Sequence, residues 1–275
     1  MIGVKLLDGT ELADYVKERQ AKQVRSLRQG AGVIPKLAIV QTTDDAVIDT
    51  YVRTKQRYGE DIQIDVDIHR PDPASAIQTI QELNSDASVH GIIVQLPVGE
   101  GLSVEEVVNA VAVEKDVDGL ATGSMFTAAT AQAIDWLLNG YNIELKGKKI
   151  GIVGNGRLVG APLAKIWHDA GYTVQVFDEH TGDMAKSLRR CNVIVSAAGV
   201  PGLIRSDLIQ AGAVVVDAAT SAEHGKIVGD VAADARERTD LTITPEKGGV
   251  GPLTVVSLFD NVIRAARSGP QASSD

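Results

Sequence analysis

Compact apolar runs alternate with amphipathic segments in the first 110 residues of the chain. The compact runs predict strands at 36–41 and 91–96, and alternating apolar and acidic residues predict a strand nearer a sheet edge at 62–68. Apolar residues at helical spacing predict helices around 12–24, over the segment carrying Tyr51–Lys55, at 74–83 and at 103–111. This order predicts a parallel sheet whose strands are joined by helical crossovers.

The alternation continues in the second half of the chain. Strands are predicted at 150–153, 172–177, 193–197, 213–218 and 241–244, and helices at 127–138, from Pro162 onwards and at 255–266. Ligands of parallel sheets bind beyond the carboxyl ends of the strands. Functional residues are therefore expected directly after the strands. In the first half of the chain these positions are 42–45, 95–98 and 116–119.

A glycine turn follows the strand at 150–153. Gly154, Gly156 and Gly160 precede a helical pattern that Gly171 stops, and a second strand ends at Asp178. Glycines at such a turn let backbone N–H groups approach a pyrophosphate, and the helix directs its positive end at it. The strand, turn, helix, strand and acid together predict the nucleotide-binding half of a Rossmann unit. The alternative is a turn that only shapes the chain, with Asp178 a solvated loop acid.

The predicted fold is therefore α/β, with two parallel-sheet α/β domains around a cleft, the second a Rossmann-type nucleotide-binding domain. Residues 1–122, completed by a C-terminal helix at 253–267, are predicted to form the first domain. Residues 123–252 are predicted to form the second, and 268–275 a disordered tail.

Composition narrows the function classes. The net charge of -9 over 275 residues argues against a nucleic-acid partner. A single cysteine excludes an internal disulfide framework and a cysteine-based metal site, and Cys191 is expected to be buried packing. There is no apolar run long enough to cross a bilayer and no signal peptide, so a cytoplasmic location without membrane contact is expected.

Four polar residues near predicted strand ends and on one helix suggest chemistry. Tyr51 and Lys55 are four apart and share a helical face. Partial burial and the neighbouring cations Arg53 and Arg57 would lower the pKa of Lys55 and make its amine available as a general base. Gln95 could hydrogen-bond Lys55, and Asp118 could accept paired N–H groups of a heterocycle. Each also has a purely structural explanation. Tyr51 and Lys55 could be a snorkelling surface pair, Gln95 could cap a strand, and Asp118 could be a turn residue.

Several motifs together resemble the methylenetetrahydrofolate dehydrogenase/cyclohydrolase family. They are YVRTK at Tyr51–Lys55, GIIVQLP at Gly91–Pro97, EKDVDGL at Glu114–Leu120, GDV at Gly229–Val231 and ITPEKGGVGPLTV at Ile243–Val255. They occur in the order and spacing of that family and cover nearly the whole chain.

The resemblance implies two linked reactions. A folate methylene bridge gives a hydride to NAD or NADP, and water opens the methenyl product to the 10-formyl form. It implies that Lys55 is the key residue of hydrolysis, that Gln95 tunes it, that Tyr51 packs on the folate and that Asp118 holds the pterin. Gly249 and Pro252 would line the cleft as substrate-binding residues. No metal is implied, and a homodimer formed through the Rossmann domains is expected.

The predicted dinucleotide site departs from the family pattern. Its residues are Gly154, Asn155, Gly156, Arg157, Gly160, Asp178, Gly199 and Thr220. Family members commonly have Gly-Arg-Ser where this chain has Gly154–Gly156, and His-Ser where it has Asp178-Glu179. The arginine that would pair with a 2′-phosphate is missing, and two carboxylates would repel one. The sequence therefore predicts a preference for NAD over NADP, although Arg157 remains close.

Three further departures bear on the substrate. Ala128–Ala131 replaces Pro-Cys-Thr-Pro with only Thr130 retained, Lys247 replaces a proline, and Ile48 replaces a serine. Because Lys55, Gln95 and Asp118 persist, folate chemistry is favoured. Two alternatives stay open: a dehydrogenase of another small substrate on the same plan, such as a shikimate-type enzyme, and a non-catalytic nucleotide-binding protein.

Overall fold

The structure is a computed structural model that describes residues 5–219, 221–223 and 226–268. The chain forms two compact units. Unit 1 contains the described residues up to Ala13 together with Thr130–Thr254, and unit 2 contains Asp14–Ala129 and the chain from Val255 onwards.

The helices and strands of the described residues alternate along the chain. The strands are β1 Lys5–Leu6, β2 Lys36–Gln41, β3 Asp65–His69, β4 Gly91–Gln95, β5 Ile150–Val153, β6 Val174–Phe177, β7 Val193–Ser196, β8 Val214–Asp217, β9 Ser221–Glu223, β10 Lys226–Val228 and β11 Thr242–Ile243. The helices are α1 Gly9–Gly30, α2 Ala46–Ile62, α3 Ala76–Ser85, α4 Val104–Asn109, α5 Ala129–Gly140, α6 Gly160–Asp169, α7 Met184–Leu188, α8 Ala233–Arg236 and α9 Val250–Ser268.

Unit 2 is built on a parallel sheet with the strand order β3-β2-β4. Asp116 extends this sheet through an isolated parallel bridge to Ile92. The middle residues of β2 and β4 are apolar and buried because both faces of the sheet are covered. One apolar cluster joins the sheet to α2 and α9, and a second covers residues of α3 and α4. The predicted edge strand is β3, whose residues remain partly exposed.

The start and end of α2 follow from local chemistry. The Asp45 carboxylate accepts hydrogen bonds from the backbone N–H groups of Val47 and Ile48, at 2.8 and 3.0 Å, and so caps the helix. Gln63 then adopts a left-handed conformation with φ 64°, which closes the helix. These two ends fix α2 directly after β2, with Tyr51 and Lys55 in its first three turns.

Unit 1 contains a parallel sheet of strand order β1-β11-β8-β7-β5-β6. From β5 the chain goes to one side for β6 and to the other for β7, so the order reverses between β5 and β7. Such a switch point is where ligands of doubly wound sheets bind. An antiparallel hairpin, β9 with β10, lies outside this sheet.

Several boundaries differ from the sequence expectation. The opening of the chain, predicted to belong to the first domain, lies in unit 1, since β1 pairs with β11. The chain passes between the units at Ala129/Thr130 and Thr254/Val255, rather than at the predicted 122/123 and 252/253. Ser268, predicted to begin a disordered tail, ends α9, and the rest of that segment lies outside the described residues.

Two kinds of feature are absent from the described residues. No helix in that part of the chain is long and apolar enough to cross a membrane. No group of three or more His, Cys, Asp or Glu side chains there is placed to hold a metal ion.

Candidate active site

Lys55 and Gln95 meet at the carboxyl edge of the unit 2 sheet. Lys55 lies on α2 and Gln95 is the last residue of β4. The Lys55 Nζ donates a hydrogen bond of 2.7 Å to Gln95 Oε1. Gln95 Nε2 donates to the carbonyl of Leu96 at 3.1 Å, which turns the amide so that its oxygen faces the lysine. The predicted pairing of these two side chains is therefore present.

The pKa of the Lys55 amine is shifted mainly by burial. Burial lowers the pKa of Lys55, and the nearby Asp118 carboxylate opposes this by raising it. The sequence predicts that Arg53 and Arg57 cause part of the lowering of this pKa. In the structure burial is the leading cause, and neither arginine contributes. Arg53 instead donates to the Thr50 hydroxyl at 3.3 Å.

Asp118 lies close to Lys55 on the loop after the strand-like bridge at Asp116. Burial raises the pKa of Asp118 to about 6, Lys55 lowers it and Asp116 raises it further. The adjacent turn is fixed by Asp116, whose Oδ2 accepts a 2.8 Å bond from Ala121 N. A lysine with a lowered pKa beside an aspartate with a raised pKa is a typical arrangement for proton transfer.

Gly119 shapes the loop that carries Asp118. It has φ +72°, and a Cβ at this position would lie 2.5 Å from the backbone nitrogen of Ala128. The segment at Ala128 therefore packs directly on the turn, and Ala129 N donates to the Asp118 carbonyl at 3.3 Å. This glycine is required both by its conformation and by the close approach of another backbone segment.

Tyr51 lies one helical turn before Lys55 on the same face of α2. Its side chain remains 38% exposed. An exposed aromatic ring beside buried polar groups provides an apolar surface for a flat ligand. Of the four predicted catalytic residues, three are grouped: Lys55, Gln95 and Asp118. Tyr51 lies one helical turn away, on the same face of α2 as Lys55.

Asn261 is a positioning residue that the sequence reasoning missed. Its Nδ2 donates to the carbonyl of Val117 at 2.9 Å and to that of Thr127 at 3.0 Å. It is fully buried on α9, so these bonds tie both ends of the Asp118 loop to that helix. The only sequence signal was a polar residue in the apolar stripe of a helix.

Two departures from the family pattern lie in packed regions. Ile48, in place of a serine, is 7% exposed and belongs to the apolar cluster beneath α2. Ala128, Ala129 and Ala131 are likewise buried. These substitutions replace polar or rigid groups with apolar side chains that pack in the interior.

The glycine turn of unit 1 has the geometry of a dinucleotide-binding loop. Gly154 has φ +98°, and a Cβ there would lie 2.5 Å from the carbonyl oxygen of Ala197. A Cβ on Gly160 would overlap the carbonyl of Gly154, so α6 begins against the turn, two residues before the predicted Pro162. A Cβ on Gly156 would meet no described atom within 4 Å. Packing therefore requires the outer two glycines, while Gly156 borders open space suited to a pyrophosphate.

Asp178 follows β6 at the neighbouring strand end and is exposed. Its Oδ1 accepts bonds from the Thr181 hydroxyl at 2.9 Å and from His180 N at 3.1 Å. The Thr181 hydrogen bond is the main reason why the pKa of Asp178 is lowered. Phe177, just before it, accepts a 2.7 Å bond from Gly154 N, so this carboxylate is anchored beside the glycine turn.

Three of the remaining predicted dinucleotide residues lie on loops of the same sheet edge. Asn155 and Arg157 are exposed in the turn between β5 and α6. Gly199 follows β7 with φ +70°. Thr220 lies outside the described residues.

Cys191 is buried, and burial raises the pKa of its thiol, which fits the predicted packing role.

Gly249 and Pro252 lie at the junction of the β11 loop and α9. Gly249 is buried, with a would-be Cβ only 3.1 Å from Thr244 Cβ, and Pro252 is in the first turn of α9. The carbonyl of the adjacent Gly248 accepts bonds from Gly9 N at 2.7 Å and from the Thr10 hydroxyl at 3.5 Å. The start of α1 therefore fixes this loop, which explains why the first residues belong to unit 1.

Comparisons with known proteins agree with both halves. Residues 7–118 match the family model of the tetrahydrofolate dehydrogenase/cyclohydrolase catalytic domain, and residues 128–269 match that of its NAD(P)-binding domain. The chain is 35% identical to the bifunctional protein FolD of Macrococcus caseolyticus, over 97% of this chain and 99% of that protein.

Solved structures give the same result. The FolD methylenetetrahydrofolate dehydrogenase/cyclohydrolase of Campylobacter jejuni has a TM-score of 0.90 and 33% identity, covering 96% of this chain and 99% of that one. The Trypanosoma brucei enzyme, solved with NADP cofactor and inhibitor, has a TM-score of 0.89 and 29% identity, covering 97% and 98%. This chain belongs to the tetrahydrofolate dehydrogenase/cyclohydrolase family, with a catalytic domain and an NAD(P)-binding domain.

Proposed function

We propose that this chain oxidises 5,10-methylenetetrahydrofolate to the 5,10-methenyl form with NAD as the preferred hydride acceptor, and hydrolyses the methenyl form to 10-formyltetrahydrofolate. The observation that carries the proposal is the hydrogen bond of 2.7 Å between Lys55 and Gln95, with Asp118 close enough to shift the pKa of the lysine. Both family domains support the two activities.

In the hydrolytic step, water adds to the methenyl carbon and the bond from that carbon to one folate nitrogen breaks. Lys55, whose pKa is lowered by burial, takes one proton of the attacking water, and the other proton of that water passes to the folate nitrogen that is released. Gln95 holds the amine in place through its Oε1. The carboxylate of Asp118 accepts paired N–H groups of the pterin, and the ring of Tyr51 packs on the folate.

A dinucleotide bound to unit 1 would supply the acceptor for the hydride that leaves the methylene carbon in the oxidative step. Unit 1 fits the dinucleotide because Gly156 borders open space, and because Gly154 and Gly160 bring the start of α6 against the turn. Gly249, in the loop after β11, and Pro252, in the first turn of α9, are proposed to contact the folate. Gly199 and Thr220 complete the proposed dinucleotide residues.

The preference for NAD rests on Asp178. Thr181 and His180 hold its carboxylate in one orientation, and its lowered pKa keeps it anionic. Such a carboxylate accepts the ribose hydroxyls of NAD and repels a 2′-phosphate. Asn155, in place of the usual arginine, offers that phosphate no charge, which leaves Arg157 as the nearby cation.

Three further expectations belong to this proposal. A homodimer is expected from the family resemblance, and sedimentation of the purified chain would test it. A cytoplasmic location stays a prediction. The shikimate-type and non-catalytic alternatives are not favoured, because both domains match folate-family models and the Lys55–Gln95 pair is intact.

The test follows two absorbance bands, that of the methenyl folate and that of the reduced nicotinamide, after mixing the protein with methylenetetrahydrofolate and either NAD or NADP. We expect reduced nicotinamide with NAD, and methenyl product that decays faster than its uncatalysed hydrolysis. Turnover with NADP alone would overturn the cofactor preference. Absence of turnover with both would overturn the proposed substrate.

A further inference from the structure

We infer that Asp230 is a positioning residue of the dinucleotide site, holding the loop after β7 in the shape that receives the cofactor. The inference rests on the proposed nucleotide binding of unit 1. The loop runs from Ala197 to Val200 and contains Gly199. Asp230 itself is fully buried, so its carboxylate acts on the cofactor only through this loop.

Both carboxylate oxygens of Asp230 are committed to the β7 loop. Its Oδ2 accepts bonds from the Ser196 hydroxyl at 2.7 Å and from Ala198 N at 2.8 Å. Its Oδ1 accepts a bond from Val200 N at 2.7 Å. Short bonds to a charged acceptor are the strong class of hydrogen bond, and they satisfy two backbone N–H groups that the turn leaves without a strand partner.

The loop that Asp230 holds packs directly against the glycine turn. A Cβ on Gly154 would lie 2.5 Å from the carbonyl oxygen of Ala197 and 2.9 Å from Ala198 Cα, so the two backbones are in contact. Ala197 N also donates to the Val153 carbonyl at 2.8 Å. This contact lies between β5 and β7, at the switch point where the dinucleotide is expected. A displacement of the β7 loop therefore alters the space beside the turn.

Asp230 is itself fixed from the opposite side. The carboxylate of Asp217 accepts bonds from Asp230 N and Val231 N, each at 3.0 Å, and from Arg236 Nη2 at 2.6 Å. A Cβ on Gly229 would collide with that carboxylate, so a glycine is needed there.

The network then continues to the loop after β11. Arg236 Nη1 donates to the Thr244 carbonyl at 3.1 Å, and Asp217 N donates to the Thr244 hydroxyl at 2.9 Å. A chain of buried and partly buried charges thus joins the loops after β7, β8 and β11. Asp230 is the member that contacts the loop carrying Gly199, and this accounts for the Gly229–Val231 motif in the sequence.

The experiment compares wild type with Asp230→Asn. The amide keeps the size of the carboxylate, but its NH₂ must face either Val200 N or the Ser196 and Ala198 donors, so one anchor of the loop is lost. Calorimetric titration with NAD and NADP measures binding directly. For whichever dinucleotide the wild type binds better, we expect the Kd to rise roughly tenfold or more. Hydrolysis of methenyltetrahydrofolate, supplied without dinucleotide, should change less than about twofold. The exposed control Asp207→Asn should change neither.

Ser196→Ala keeps the inference testable if Asp230→Asn does not fold. It removes one of the three bonds to Asp230 and leaves both backbone bonds, and we expect a roughly threefold weaker dinucleotide. Unchanged dinucleotide affinity in the folded variant, or an equal loss of hydrolysis and binding, would overturn the role of Asp230. Wild type that binds neither dinucleotide would instead overturn the proposed function, which separates the two failures.

Discussion

At the scale of single residues, the candidate site joins two groups whose pKa values move toward each other. Burial lowers the pKa of Lys55 and raises that of Asp118 to about 6, while each partner opposes the shift of the other. Burying two ionisable groups costs free energy, which apolar residues at the same positions would not. Sites that transfer protons commonly contain such buried groups.

Asp118 should make the stability of the chain depend on pH. Its folded pKa of about 6 lies above the ordinary value of 3.8, so the folded chain binds this proton more tightly than the unfolded chain. Its contribution to stability is therefore complete below pH 3.8 and is lost as the pH rises through 6. We expect the free energy of unfolding of wild type, relative to Asp118→Asn, to fall by about 2 kcal/mol between pH 4 and pH 7.

Denaturant unfolding across this pH range measures the difference. Asp44→Asn, at an exposed position just before α2, serves as the matched control and should show no such trend. A difference that stays flat or rises with pH for Asp118→Asn would contradict the assigned shift.

The pairing of Lys55 with Gln95 could be predicted from the sequence, but the cause of the lowered pKa of Lys55 could not. The motif spacing placed Lys55 and Gln95 together because strand ends and helix faces obey regular geometry. Burial of Lys55 depends on long-range packing, so the sequence assigned part of its pKa shift to Arg53 and Arg57. Asn261 was missed because a lone polar residue in a helix carries no partner information.

At the scale of elements, glycines decide where segments approach one another. Gly119 has φ +72° and faces the backbone of Ala128, whereas Gly123 has φ +80° and open space around its missing Cβ. The two positions share the conformational demand and differ in the contact. They therefore separate backbone strain from steric exclusion.

We expect Gly119→Ala to lower the free energy of unfolding by about 3 kcal/mol or more, because strain and overlap with Ala128 add. Gly123→Ala, the matched control, should cost only about 1 to 2 kcal/mol from strain. Calorimetric melting of both variants measures the costs. Equal costs for the two substitutions would show that the packing of the Ala128 segment on Gly119 is wrong.

Elements with a strong local pattern were predicted more accurately than elements that form through distant pairing. β2 has the predicted bounds, because a compact apolar run is a local signal. β1 has only two residues and forms through its pairing with distant β11, so no local pattern announced it. The pair β9 and β10 was missed because each of these strands has only three residues.

At the scale of the whole molecule, the chain leaves and re-enters its two units. Unit 1 takes its first residues from the start of the chain because Gly9 and Thr10 hold the loop at Gly248. The sequence predicted two domains and the return of the final helix to the first. It did not predict that the opening segment belongs to the nucleotide-binding unit, since a contact between the two ends of a chain has no periodicity.

Dinucleotides should stabilise the molecule by mass action. NAD at about a hundred times its Kd should raise the free energy of unfolding by about 2.7 kcal/mol. At the same concentration NADP should raise the melting temperature less, because the carboxylate of Asp178 faces its additional phosphate. Scanning calorimetry measures both shifts, with adenosine as the control ligand. An equal or larger shift with NADP would contradict the role given to Asp178.

The most direct test of the account is the rate at which Lys55→Met hydrolyses methenyltetrahydrofolate supplied without dinucleotide. Methionine fills the space of the lysine stem but has no amine, so the general base is removed with little change in packing. Lys165→Met, on the exposed face of α6, is the matched control and should keep the wild-type rate. We expect Lys55→Met to fall to the uncatalysed rate while its affinity for NAD is retained. Hydrolysis at the wild-type rate in Lys55→Met would contradict the account.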